Sequence, residues 1–176
     1  MRRNLSLHPD STSAAVTTIE VEAARSGPGQ LSLTYWLRGN RNGIYWPPAA
    51  ASERTDELWR RTCFEAFVHP ADGQAYLEFN LAPSTQWAAY RFSGYRAGME
   101  VERNVGAPRI ELEGDQASWA VRVQLDLGQA LPDDGPWRLG LNAVIEAVGG
   151  GLSYWALTHP RGKPDFHHSA TLAWKL

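Results

Sequence analysis

The chain has 176 residues, a length that suits one domain, and 43% hydrophobic with 20% charged residues excludes a disordered polymer. No apolar run approaches the ~20 residues a membrane helix needs. A net charge of −2, with lysines and arginines dispersed, argues against a nucleic-acid binder, which would carry a basic face.

The start, Met1 to Pro9, is basic but is not followed by the apolar stretch of about 7–15 residues that a secretion signal requires. The lone cysteine, Cys63, excludes an intrachain disulfide. Both point to a cytoplasmic protein. The expected organisation is a single domain over residues 1–176, with residues 1–14 irregular.

Period-two alternation begins at Leu31, Leu33, Tyr35 and Leu37, set against Ser32, Thr34, Trp36 and Arg38. It returns at Trp119, Val121, Val123, Leu125 and Leu127, and again at Leu139, Leu141, Ala143 and Ile145. Strands of this kind bury one face and leave the other for water or ligand. Turn chemistry separates them at Ser26-Gly27-Pro28-Gly29, Pro70-Ala71-Asp72-Gly73, Pro132-Asp133-Asp134-Gly135-Pro136 and Gly149-Gly150-Gly151. Helical periodicity is confined to room for one turn between Ser52 and Arg61, and residues 95–108 read as an irregular loop near the site. The pattern predicts an all-β fold, a two-sheet antiparallel β-sandwich.

The stretch from Leu58 to Tyr95 carries the candidate site. With Pro70–Gly73 as a hairpin loop, His69 faces Gln74, Phe67 faces Tyr76, Glu65 faces Glu78 and Cys63 faces Asn80. Phe64, Ala66 and Val68 then share the core side with Leu77, Phe79 and Leu81. With Ala82–Thr85 as the next loop, Asn80 faces Trp87, Glu78 faces Ala89 and Tyr76 faces Arg91. One face thus collects Glu65, Tyr76, Glu78, Asn80, Trp87 and Arg91. Like charges directly across a strand pair cost about 0.2–1 kcal/mol, so Glu65 opposite Glu78 asks for compensation: Arg91, a cation, or a polyhydroxylated ligand. Carboxylates, an amide, a guanidinium and an indole suit sugar hydroxyls and the C–H face of a sugar ring. The same carboxyl pair fits a retaining glycosidase, whose two carboxyls lie about 5–5.5 Å apart, although nothing else marks one as acid and the other as nucleophile.

Three blocks here, Leu58 to Phe67, Tyr76 to Ser84 and Trp87 to Phe92, resemble the DOMON-like superfamily, and more narrowly its branch related to the family 9 carbohydrate-binding modules. Leu152 to Pro160 and Lys163 to His167 resemble the same branch, so the likeness covers most of the chain from about residue 30 in separated blocks. The resemblance implies an immunoglobulin-like or jelly-roll sandwich with a ligand site on or beside one sheet. Relatives bind sugars or haem, the sugar held between two tryptophans above polar side chains. Residue by residue, Trp59 and Glu65 match the first tryptophan and the acidic position, Glu78 and Asn80 the polar pair, and Trp155 the second tryptophan.

The expectation is a non-catalytic binder of a small carbohydrate-like ligand, with Trp59 and Trp155 stacking the ring and Glu65, Glu78, Asn80 and Arg91 holding hydroxyls. Trp87 and Tyr76 would border the site. No cofactor is required; the resemblance leaves room for calcium, though no contiguous acidic loop declares a site. The alternatives are haem, using Met99 with His167 or His168, a glycoside hydrolase using Glu65 and Glu78, and an interaction module with an unnamed protein partner. Cys63 reads as a buried inert thiol, and Gly149–Gly151 as a hairpin loop, since no helix follows to cradle a phosphate.

Overall fold

The computed structural model describes residues 1–71, 73–131 and 135–176. The turn readings at Pro70–Gly73 and Pro132–Pro136 include Asp72 and residues 132–134, which lie outside the described residues.

Among the described residues the strands in chain order are β1 (Arg3–Leu7), β2 (Val16–Gly27), β3 (Gln30–Gly39), β4 (Cys63–Pro70), β5 (Tyr76–Leu81), β6 (Trp87–Phe92), β7 (Glu100–Val101), β8 (Arg109–Gly114), β9 (Ser118–Asp126), β10 (Trp137–Glu146), β11 (Leu152–Ala156) and β12 (Trp174–Lys175). Among the described residues there is no α-helix, only short 3-10 turns such as Leu58–Arg60, within the stretch expected to hold one turn. The strands hydrogen-bond in the order β7-β6-β5-β4-β10-β11-β1-β2-β3-β9-β8, with β12 beside β10, and their pairings are antiparallel.

The result is a strongly curled antiparallel sheet, and β1 is its hinge. Arg3, Asn4 and Leu5 pair with β2, whereas Ser6 and Leu7 pair with Ala156 and Trp155 of β11. The expectation of an irregular start is corrected: residues 3–7 are a strand, paired with the next strand on one side and with the remote β11 on the other.

Curling brings the apolar faces of the two arms together. Leu31, Leu33, Tyr35 and Leu37 from β3 share one buried cluster with Phe64, Ala66, Val68, Leu77, Phe79 and Leu81 from β4 and β5. The Tyr35 ring lies 4.9 Å from that of Phe64, and its hydroxyl donates to the Glu65 carbonyl at 2.9 Å. Each such aliphatic or aromatic side chain contributes about 1.5–3 kcal/mol on leaving water.

Two registers differ from expectation. In the β4–β5 hairpin, Phe67 pairs with Glu78 and Glu65 with Asn80, a slip of two residues. Pro70 pairs with Trp137 and so remains in the ladder with β10, which lengthens the connection. A slip of two keeps every side chain on its face.

In the β5–β6 hairpin the slip is one, with Leu81 opposite Trp87 and Glu78 opposite Tyr90. Ala82 receives the Thr85 N–H and donates to Gln86, closing a shorter loop over residues 83–85. Thr85 sits at φ 79°, the left-handed position that glycine or asparagine ordinarily takes in such hairpins. A one-residue slip turns all of β6 over.

Candidate functional site

Alternation directs one face of β6, β5, β4, β10 and β11 away from the main core. Across this face the register sets Asn80 beside Glu65, Glu65 beside Asn142, and Asn142 beside Ala156. A neighbouring row runs Tyr90, Glu78, Phe67 and Gly140. The face is not left to water. Phe67, Tyr76, Tyr90, Phe92 and Val144 form a second buried cluster with Phe166 and Leu172 from the segment after β11, joined by Trp59 and Tyr154.

Within this covered face lies a cavity of about 420 Å³. Its buried base is Glu65, Glu78 and Val144; Trp59, Phe92, Tyr154, Phe166 and His167 form its walls; Arg96, Met99 and Pro164 complete the lining. Trp59 is delivered by the 3-10 turn Leu58–Arg60, and its ring meets Tyr90 edge-on at 6.3 Å.

The two glutamates are 4% and 6% exposed, unusually low for carboxyls. Asn80 Nδ2 donates to Glu78 Oε1 at 2.6 Å. The Glu65 carboxyl makes no hydrogen bond to any described residue and opens onto the cavity. Burial, reinforced by the charge of Glu78, pushes the Glu65 pKa well above the carboxylate range. Burial also raises Glu78, against the opposing pull of Asn80 and the Arg96 cation. The pair is diagonal rather than directly opposed, because Glu65 faces Asn80 and Glu78 faces Phe67. The directly opposed pair that suggested glycosidase spacing is therefore not formed.

His167 bridges the wall to the base. The Tyr76 hydroxyl accepts the Arg96 backbone N–H at 3.3 Å and hydrogen-bonds to His167 Nδ1 at 2.7 Å. The other ring nitrogen of His167, Nε2, lies 3.6 Å from Glu78 Oε2. Burial and the nearby Arg96 cation bring the His167 pKa down to about 4. Asp165 locks the loop carrying Arg96 to this segment: it accepts from Arg96 at 2.8 Å, from Tyr95, and from the His167 backbone.

Of the residues expected from sequence, Trp59, Glu65 and Glu78 line the cavity. Asn80 is fully buried and acts on it through Glu78, as Tyr76 does through His167, its ring stacked between His69 at 4.3 Å and Phe92 at 4.9 Å.

Trp87, Arg91 and Trp155 stand on the other face and are corrected. Trp87 belongs to the main core, with the Arg54 guanidinium 4.1 Å from its ring. Arg91 donates to Glu102 at 2.7 Å and to the Ala130 carbonyl. Trp155 is also in the core, donating to Ser153 Oγ at 3.1 Å, and its neighbour Tyr154 faces the cavity instead. Phe92 and Tyr154 would follow from the correct registers. Phe166 and Arg96 come from irregular segments, where sequence periodicity carries no signal.

Met99 and His167 line the same cavity, with His167 Nδ1 hydrogen-bonded to the Tyr76 hydroxyl, and His168 Nδ1 accepts from the Ala170 N–H. Among the described residues no three His, Cys, Asp or Glu side chains gather as a metal site. Cys63 is fully buried, and burial raises its thiol pKa, in line with an inert thiol.

No family model matches the sequence, and no curated protein matches it. Among solved structures, a protein from Bacteroides uniformis ATCC 8492 proposed to bind carbohydrate superimposes with a TM-score of 0.70 at 14% identity, over 97% of this chain and 83% of that one. A family 9 carbohydrate-binding module from Caldicellulosiruptor kristjanssonii, in complex with glucose, gives 0.47 at 10% identity, over 87% of this chain and 72% of that one. At such identity the first likeness shows a shared fold.

Proposed function

We propose that the cavity binds a small carbohydrate-like molecule and does not transform it. The observation that carries this reading is the Glu65 carboxyl, on a side chain 4% exposed and without a hydrogen-bonded protein partner, opening into an aromatic-walled cavity. A ligand hydroxyl supplies the hydrogen bonds that the protein leaves unmade there. With its pKa raised, Glu65 in its protonated form both donates and accepts, which matches a hydroxyl's own two-sided chemistry. Trp59, Tyr154 and Phe92 give the cavity aromatic walls suited to the C–H surface of a sugar. The volume of about 420 Å³ falls within the ~300–1,000 Å³ range of small-ligand sites. The carbohydrate binding proposed for the Bacteroides uniformis protein agrees with this reading. In the same reading the two arms are the two sheets of a sandwich that shares β1.

The test is calorimetric and fluorescence titration of the protein with neutral mono- and oligosaccharides, with calcium and then with chelator. A saturable signal should weaken roughly twofold to tenfold in Glu65→Ala or Glu78→Ala, the range of one neutral hydrogen bond. Release of reducing ends would convert the reading to hydrolysis. A flat response across the panel from folded protein would end the carbohydrate reading.

A further inference from the structure

A second cavity of about 430 Å³ lies on the far side of Tyr76 and His167, which both line it. It collects donors and no described carboxylate. The register sets His69 of β4 beside Arg138 of β10, and Arg138 beside Lys175 of β12. His69 and Arg138 line the cavity.

Arg138 Nε is enclosed and has no hydrogen-bond partner, and no ion pair among the described residues neutralises Arg138 or Lys175. Elsewhere in the molecule a comparable arginine meets an acid, as Arg91 meets Glu102 and Arg96 meets Asp165. His69 Nε2 is the second unsatisfied atom, on a side chain only 8% exposed and held flat against Tyr76. Two like charges side by side on adjacent strands repel, and a buried guanidinium N–H without an acceptor forfeits its hydration without return.

We propose that this second cavity is an anion site that takes the phosphate or carboxylate group of a small ligand. The planar fork of Arg138 suits the paired oxygens of either group, and its charge supplies the attraction. His69 contributes a hydrogen bond rather than charge, since burial and the Arg138 cation bring its pKa down to about 4. Lys175 lends long-range attraction from the edge strand. The site stands on its own residues and does not require that the first cavity hold a sugar.

Titration calorimetry at low ionic strength with inorganic phosphate, D-glucuronate and D-glucose tests it, on wild type, Arg138→Gln, Arg138→Lys and Glu78→Gln. Phosphate or glucuronate should bind the wild type, at least tenfold more weakly in Arg138→Gln, with Arg138→Lys between them. Glu78→Gln should bind phosphate as the wild type does, which separates this site from the first cavity. Saturation by phosphate alone assigns a phosphoryl group, and by glucuronate alone a carboxylate. No binding of either anion to wild type, or equal binding by Arg138→Gln, overturns the proposal. Should Arg138→Gln fail to fold, equal binding by Arg138→Lys together with salt-independent wild-type affinity would overturn it too.

Discussion

The two arms of the curled sheet treat their outward faces differently. In the β2–β3–β9–β8 arm burial follows the sequence alternation, as in β3 and β9, and the outward face meets water with exposed pairs such as Arg122–Glu113. In the β6–β5–β4–β10–β11 arm nearly every residue of β4, β5 and β10 is buried on both faces. The segments near Arg96 and Phe166 cover its outward side, and the polar residues there are trapped rather than solvated. A polar side chain on an open face says little. The same side chain under a cover, without a partner, is what the proposed binding sites rest on.

That contrast is most sharply broken by Phe67, which points outward on β4 yet is 1% exposed. Phe67→Ala should cost about 3–5 kcal/mol in urea unfolding, the price of a core aromatic. A cost below about 1 kcal/mol would mean that the cover opens in solution.

The buried carboxyls should next give the covered arm a pH dependence that the open arm lacks. Glu65 and Glu78 have folded pKa values raised above the unfolded value, so the native state holds more protons and stability falls as pH rises above about 4.5. His69 and His167 act with the opposite sign: their pKa values fall from 6.5 to about 4, so their contribution rises with pH between those values and is complete above 6.5. Chemical unfolding between pH 4.5 and 6.5 should show wild-type stability falling more, or rising less, with pH than that of Glu65→Gln.

Tyr76→Phe removes the hydroxyl from His167 Nδ1 and should cost about 1–3 kcal/mol by the same measurement, as it leaves a largely buried ring nitrogen unpaired. Arg122→Ala, on the open arm, has a partner about half exposed and should change stability by less than about 1 kcal/mol.

How much was legible follows from these residues. Alternation alone places Phe64, Ala66 and Val68 on the side of Leu77, Phe79 and Leu81, and sets Glu65, Glu78 and Asn80 on the other, and the structure keeps that division even though the pairing slips by two. Trp87 and Arg91 changed sides because Thr85 accepts a left-handed conformation without the glycine that would announce it. Trp155 fell to the core because its pairing with Ala143 and Leu7, not its neighbours in sequence, orients β11.

The sequence by itself determined an all-β antiparallel chain and which residues of each strand share a face, because side chains alternate along a strand whatever it pairs with. Only the tertiary structure decided that β1 joins the arms, that β6 presents Tyr90 and Phe92, and that remote segments roof the carboxyls and Arg138. Those outcomes depend on loop closure and on burial by distant residues, and neither leaves a local pattern in the chain.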